Sequence, residues 1–224
     1  MTIKTIMRVT ERPVNRLNRS SARYDRRVVS PLPSWVSEDE TKPAPMPLLL
    51  VQSFVNTWEA DSATDLLGDV DTARVWLAGA GLLLGTLGEA DLAEARAVRE
   101  SIRAVLVQNG GGPPVAAPEL EALVAAAGHW RLTPMVEPGG RVRLRPLGEG
   151  PVDVGRLLLV VRDAQKDGSF DRLKACRNDE CRWAFFDRSH ARRGAWCDMA
   201  VCGNRIKNRN LRSRRSGAAG GVAS

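Results

Sequence analysis

The sequence predicts an α+β protein: a mostly helical N-terminal domain with a small β-hairpin, followed by a four-cysteine zinc finger ending in a basic helix. Three observations carry this. Between residues 48 and 167, apolar side chains recur every three or four positions over several stretches. One stretch, Arg141-Val142-Arg143-Leu144-Arg145, changes to a period of two. All four cysteines of the 224-residue chain lie between 176 and 202.

Residues 1–46 lack periodic apolar spacing and contain Pro13, Pro31, Pro33, Pro43 and Pro45, so they read as a basic, flexible arm and linker. The helical domain is placed at 47–170. Its first segment, Leu48 to Trp58, is short and apolar and reads as helix rather than strand. Asp71 can cap a second helix in which Ala73, Trp76, Leu77 and Ala80 share a face. The clearest helix runs from Glu89 to Gln108, with Leu92, Ala95, Val98, Ile102, Val105 and Leu106 at helical spacing. Gly110-Gly111-Gly112-Pro113-Pro114 stops it. Pro118 opens another, with Leu120, Leu123, Val124 and Ala127 facing inward and Gly128 at its end. Glu137-Pro138-Gly139-Gly140 supplies the hairpin turn, and Asp153 starts a last helix through Leu157, Leu158 and Val161, closed by Asp167-Gly168. Trp58, Trp76 and Trp130 read as core, and His129 as structural. The finger is placed at 171–215, and residues 216–224 read as a flexible tail.

Charge is distributed unevenly. Residues 1–30 carry a net +6, residues 31–171 a net −8, and residues 172–215 a net +9. An acidic body flanked by basic ends points to a domain with polyanion-binding appendages. No apolar run approaches the ~18 residues of a membrane span, and the first 30 residues hold no apolar core of an export signal. A cytoplasmic, nucleoid-associated protein is expected. With two His and one Tyr, candidates for general-base chemistry are few. The G-x-S-x-G, H-E-x-x-H and G-x-x-x-x-G-K-[ST] patterns are absent, and Gly79-Ala80-Gly81 with Gly85 misses the dinucleotide fingerprint. No catalytic residue is assigned, and no enzymatic activity is expected.

Cys176, Cys181, Cys197 and Cys202 follow the pattern C-x4-C-x15-C-x4-C. Two disulfides would satisfy the count, but a reducing cytoplasm disfavours them. Two close pairs of thiolates separated by a loop suit one tetrahedral, structural zinc ion, whose four sulfur ligands leave no position for a catalytic water. Arg172-Leu173-Lys174-Ala175 reads as a strand entering the first cysteine. Trp183, Phe186 and Trp196 can form a miniature core of the finger's own, so the finger is expected to unfold on chelation while the helical domain stays intact. His190 reads as a solvated loop residue.

Asp198 can cap a terminal helix beginning at Met199, in which Met199, Cys202 and Ile206 share an inward stripe. Arg205, Asn208, Arg212 and Arg215 gather on another face, with Lys207, Arg209 and Arg214 around the rest. These seven are the candidate nucleic-acid contacts. Arg and Asn on one helix suit phosphate oxygens and base edges, while Arg205, three residues after a ligand, can instead support the thiolates. In the helical domain, Phe54, Asn56 and Thr57 are the candidate ligand pocket, because polar residues interrupt an apolar run.

Cys202-Gly203-Asn204-Arg205 spells C-G-N-R, and the stretch 171–215 resembles the CGNR zinc finger. Upstream, Phe54-Val55-Asn56-Thr57, Asp65-Leu66-Leu67 and Trp76-Leu77 near Ala80-Gly81-Leu82 resemble the ABATE domain of bacterial stress-induced transcription regulators. The resemblance implies that the four cysteines bind zinc and that the basic residues bind DNA, with the acidic domain sensing a small-molecule effector or mediating assembly, for instance as a homodimer. RNA is the alternative polymer, since counterion release does not distinguish the two. A third reading is a small-molecule-binding domain whose finger docks a protein partner.

Overall fold

The structure, a computed structural model, describes residues 32–209, so the arm before residue 32 and the tail after 209 lie outside it. Residues 33–209 belong to one structural unit, and its class is α+β. Helix α1 (Leu48–Val55) leads into a small hairpin, β1 (Trp58–Glu59) with β2 (Thr64–Asp65). Helices α2 (Val70–Gly79), α3 (Glu89–Asn109) and α4 (Ala117–Gly128) follow. The longer hairpin pairs β3 (Trp130–Val136) antiparallel with β4 (Val142–Gly148), and α5 (Val154–Asp167) completes the helices. A short antiparallel pair, β5 (Leu173–Ala175) with β6 (Ala184–Phe186), opens the cysteine-bearing region.

Every residue of α1 is buried, which is what a helix apolar on all sides requires. The interruption at Gln52 is satisfied internally: its Oε1 accepts from the Ala44 N–H at 2.6 Å, and its Nε2 donates to the carbonyls of Lys42 and Ala184. The inward faces of α2 and α3 are as expected, with Ala73, Trp76, Leu77, Leu92, Ala95, Val98, Ile102 and Leu106 buried. The α2 cap is Asp69, whose carboxylate accepts from the Asp71 and Thr72 N–H groups, and not Asp71. Asp153 caps α5, and Gly168 ends it at φ +74°, a conformation that suits glycine. Val124 is not inward: it is 68% exposed, because α4 turns Ala126 to the core and packs along α3 by one edge. Trp58 lies in β1 rather than in a helix, and His129 is exposed.

Residues 33–46 are not the flexible linker that their prolines suggest. Val36 and Ala44 are buried, Trp76 Nε1 donates to the Trp35 carbonyl at 2.9 Å, and Phe186 N–H donates to the Lys42 carbonyl at 2.9 Å. Proline sets φ without preventing a segment from packing, and here backbone groups and two buried side chains tie the strap down.

The helical region and β5–β6 share one core. Phe170, Leu173, Ala175, Ala184 and Phe186 belong to the same buried cluster as Leu50, Phe54 and Leu106. The miniature finger core is therefore not separate: Phe186 joins the main core, and Trp196 is only half-buried. Asn56 makes the join polar as well as apolar. Its Nδ2 donates to the Ala184 carbonyl at 2.9 Å and its Oδ1 accepts from the Ala184 N–H at 2.7 Å, so the side chain acts as a neighbouring strand for β6. Asn56→Ala is expected to cost about 1–3 kcal/mol, since it leaves the buried Ala184 N–H without a partner; urea unfolding of the variant checks this.

Candidate metal centre

Two chain reversals bring the four cysteines together. Cys176 continues β5, its N–H donating to the Trp183 carbonyl at 2.9 Å. The chain then turns back on Asn178, whose carbonyl accepts from both Cys181 and Arg182 N–H groups, with Arg182 at φ +51°. Cys197 and Cys202 flank the second reversal, where Asp198 caps a π turn, Met199–Gly203, by accepting from the Val201 N–H. The helix runs on over 204–209. The wider π turn changes the phase assumed for an α-helix. Cys202 still points inward, but Met199 is 51% exposed.

The four Sγ atoms lie within 4.8 Å of one another. Cys181 to Cys197 is 3.6 Å, and Cys197 to Cys202 is 3.7 Å. A tetrahedral zinc with ~2.3 Å bonds has sulfur–sulfur edges of ~3.8 Å, so the set fits one ion. The surroundings suit thiolates: backbone N–H groups of Cys197 and Asn178 point at the Cys176 sulfur, the Trp183 N–H at Cys181, and Asn178 Nδ2 at Cys202, 3.8 Å away. By themselves, sulfurs this close compete to ionise. Hydrogen bonds from Cys181 and Cys197 hold the Cys176 thiol far below its ordinary value, and the bond to that thiolate pushes Cys181 and Cys197 up. A dication stabilises all four thiolates at once. The site takes one structural zinc, and its four sulfurs leave no coordination position for water.

The loop joining the two cysteine pairs is organised by a buried ion pair that spacing did not reveal. Lys174 Nζ meets Asp187 Oδ2 at 2.8 Å, each side chain about 5% exposed or less. Lys174 also donates to the Arg192 carbonyl at 2.6 Å, while the Ser189 and Gly194 N–H groups donate to Asp187. A Cβ at Gly194 would stand 2.8 Å from the Asp187 carboxyl carbon, so glycine is required there by close approach.

The C-G-N-R residues now have distinct contacts. Cys202 is a buried sulfur like Cys176, and Gly203 lies against the thioether end of the half-exposed Met199 side chain. Asn204 Nδ2 donates to the Ala200 carbonyl at 3.0 Å, holding the π turn. Arg205 reaches Asp61, between β1 and β2, at 3.0 Å. It makes no hydrogen bond to a cysteine among the described residues, and acts on the Cys202 and Cys181 sulfurs through space. Arg209 pairs with Glu180 at 2.9 Å, and Lys207 and Asn208 are exposed. Arg212, Arg214 and Arg215 lie outside the described residues.

The pocket expected at Phe54, Asn56 and Thr57 is not there. Phe54 and Thr57 are 0% and 1% exposed. Asn56 is committed to β6, and Thr57 Oγ1 donates to the Phe54 carbonyl at 2.8 Å while accepting from Arg99. The polar interruptions of the apolar run serve the interior. A cavity of about 280 Å³ opens instead beside the thiolates, lined by Cys181, Trp183, Asp39, Glu59, Asp61 and Asp198 among others.

A family model described as "CGNR zinc finger" matches residues 172–215, beginning one residue before β5 and covering all four cysteines. No match was found among curated proteins. A second model, covering more than half of the chain, matches residues 49–166, from α1 to the end of α5. The chain with this helical body and four-thiolate centre belongs to the ABATE family, described as "Putative stress-induced transcription regulator".

Proposed function

We propose that this chain is a bacterial, non-enzymatic transcription regulator that binds duplex DNA, acting in the cytoplasm at the nucleoid. The observation that supports this best is the anchoring of a basic helix by the zinc site: Cys202 is buried, and Lys207 and Asn208 stand exposed within two turns of it. The region 172–215 carries a net +9, and stays near +7 when zinc with four thiolates is counted as −2. Zinc here is a fold element, and the exposed helix supplies the phosphate and base contacts. Arg205, held by Asp61, positions this helix on the body.

The test is fluorescence anisotropy of the full chain with a ~30-base-pair duplex and a matched single-stranded RNA between ~50 and ~200 mM salt. Duplex binding stronger than RNA binding is expected, with Lys207→Ala lowering the log–log salt slope by ~1. Preference for the single strand supports the RNA reading instead, and absence of binding to either overturns both.

A further inference from the structure

We propose that the β3–β4 ribbon is a second contact surface for the phosphates of duplex nucleic acid, engaged through a stripe of arginines; this rests on the DNA-binding reading above. The ribbon has two unlike faces. Pairing of Trp130 with Gly148, Leu132 with Pro146, Pro134 with Leu144 and Val136 with Val142 leaves one face without charge. Pairing of Arg131 with Leu147, Thr133 with Arg145 and Met135 with Arg143 places one arginine at every step of the other. Arg141 follows at the turn. Each two-residue step advances about 6.7 Å, close to twice the ~3.4 Å rise of B-DNA.

These cations are available. Arg143 pairs with Glu137 at 2.8 Å, but Arg131, Arg141 and Arg145 are exposed and have no acidic partner among the described residues. In the finger, by contrast, Lys174 is committed to Asp187, Arg205 to Asp61 and Arg209 to Glu180, while Arg172 and Arg177 donate to backbone carbonyls. The ribbon stands on a body with a net −8 over residues 31–171, so its stripe reverses the local sign. Like charges on diagonal neighbours ~7–8 Å apart repel, and a polyanion relieves that repulsion. Guanidinium forks suit phosphate oxygens, and a two-stranded ribbon fits a major groove. At the ribbon's foot, an open groove of about 690 Å³ runs past His129, Arg131 and Thr133.

Other occupants fit less well. Glu137 N–H donates to the Arg141 carbonyl, which makes the odd-numbered pairs the hydrogen-bonded ones and turns the backbone of Pro134 and Pro146 outward. Each proline deletes a donor from an outer edge, so neither edge is suited to accept a third strand. A lipid surface needs cations and apolar groups on one side; here Leu132, Val136, Val142 and Leu144 lie opposite the arginines, and Leu147 and Met135 alone share their face.

The experiment uses the full chain carrying Arg131→Gln, Arg141→Gln and Arg145→Gln together, with the corresponding lysine triple as a charge-preserving control. All three side chains are exposed, and an unchanged melting temperature confirms folding. The glutamine triple is expected to lower the duplex salt slope by about 2.7, and the lysine triple to retain most of it. An unchanged slope with Lys207→Ala still effective overturns the ribbon alone and leaves the finger reading standing. Absence of duplex binding by the native chain overturns both. An altered sedimentation coefficient with an unchanged slope also overturns the proposal and identifies the stripe as a contact for the acidic body of a second copy.

Discussion

Chelating zinc is expected to unfold the helical body together with the cysteine region, in one transition, instead of releasing a small finger from an intact domain. The reason is the shared core. Leu173, Ala175, Ala184 and Phe186 are packed among the helices, and Asn56, Gln52 and Arg103 bind backbone across the join: Arg103 donates to the Val55 carbonyl at 2.7 Å and to the Arg182 carbonyl at 2.9 Å. Burial lowers the Arg103 pKa, and Glu100 opposes that shift, so this guanidinium relies on every partner it has. Zinc contributes ~10–16 kcal/mol in small zinc domains, against a total stability of ~5–15 kcal/mol for ordinary domains. Its loss should therefore reach the helices. Far-ultraviolet circular dichroism and tryptophan fluorescence, followed against temperature with and without chelator, check this. Coincident transitions at a much lower temperature are expected; a helical signal that melts unchanged would show that the two regions are independent. Cys202→Ser should reproduce chelation.

Asp187→Asn is expected to destabilise the protein by about 3–5 kcal/mol, because it leaves the Lys174 ammonium buried without a counter-charge. Burial opposes ionisation of Asp187, but hydrogen bonds from Lys174, Ser189 and Gly194 outweigh it and hold the carboxyl well below the ordinary carboxylate range. A folded-state pKa below the unfolded one gives stabilisation that is present above the ordinary value, ~3.9, and is lost as pH falls through the folded one. The variant should lack this component of acid sensitivity. Urea midpoints at neutral pH measure the main effect. The double variant Lys174→Met, Asp187→Leu should recover only part of it, since it removes the unpaired ammonium but leaves the Ser189 and Gly194 N–H groups and the Arg192 carbonyl without these partners. A single-variant loss under ~1 kcal/mol would show that the pair is not essential to the loop.

The helices α2, α3 and α5, the turn of the β3–β4 ribbon and the four cysteines were legible because each is written in neighbouring residues: a period of 3.6 or 2, a glycine-rich turn, a pair of thiols per reversal. Errors arose where a signal was local but its meaning was not. Prolines 33, 43 and 45 suggested a free linker, yet Val36 and Ala44 are buried against the body. Asn56 looked like a residue left open for a ligand, and its partner is Ala184, 128 positions away.

By itself the sequence determined the class of fold, the ribbon's alternation and a metal site of four sulfurs, since periodicity and ligand spacing act over a few residues. The tertiary structure alone decided which polar groups are spent inside. Lys174 finds Asp187, Arg205 finds Asp61, and Asn56 completes β6, whereas Arg131, Arg141 and Arg145 remain exposed on the ribbon. The physical reason is that burying a charge or an amide is tolerated only with a partner, and those partners are supplied by chain closure between distant residues, which no local pattern records.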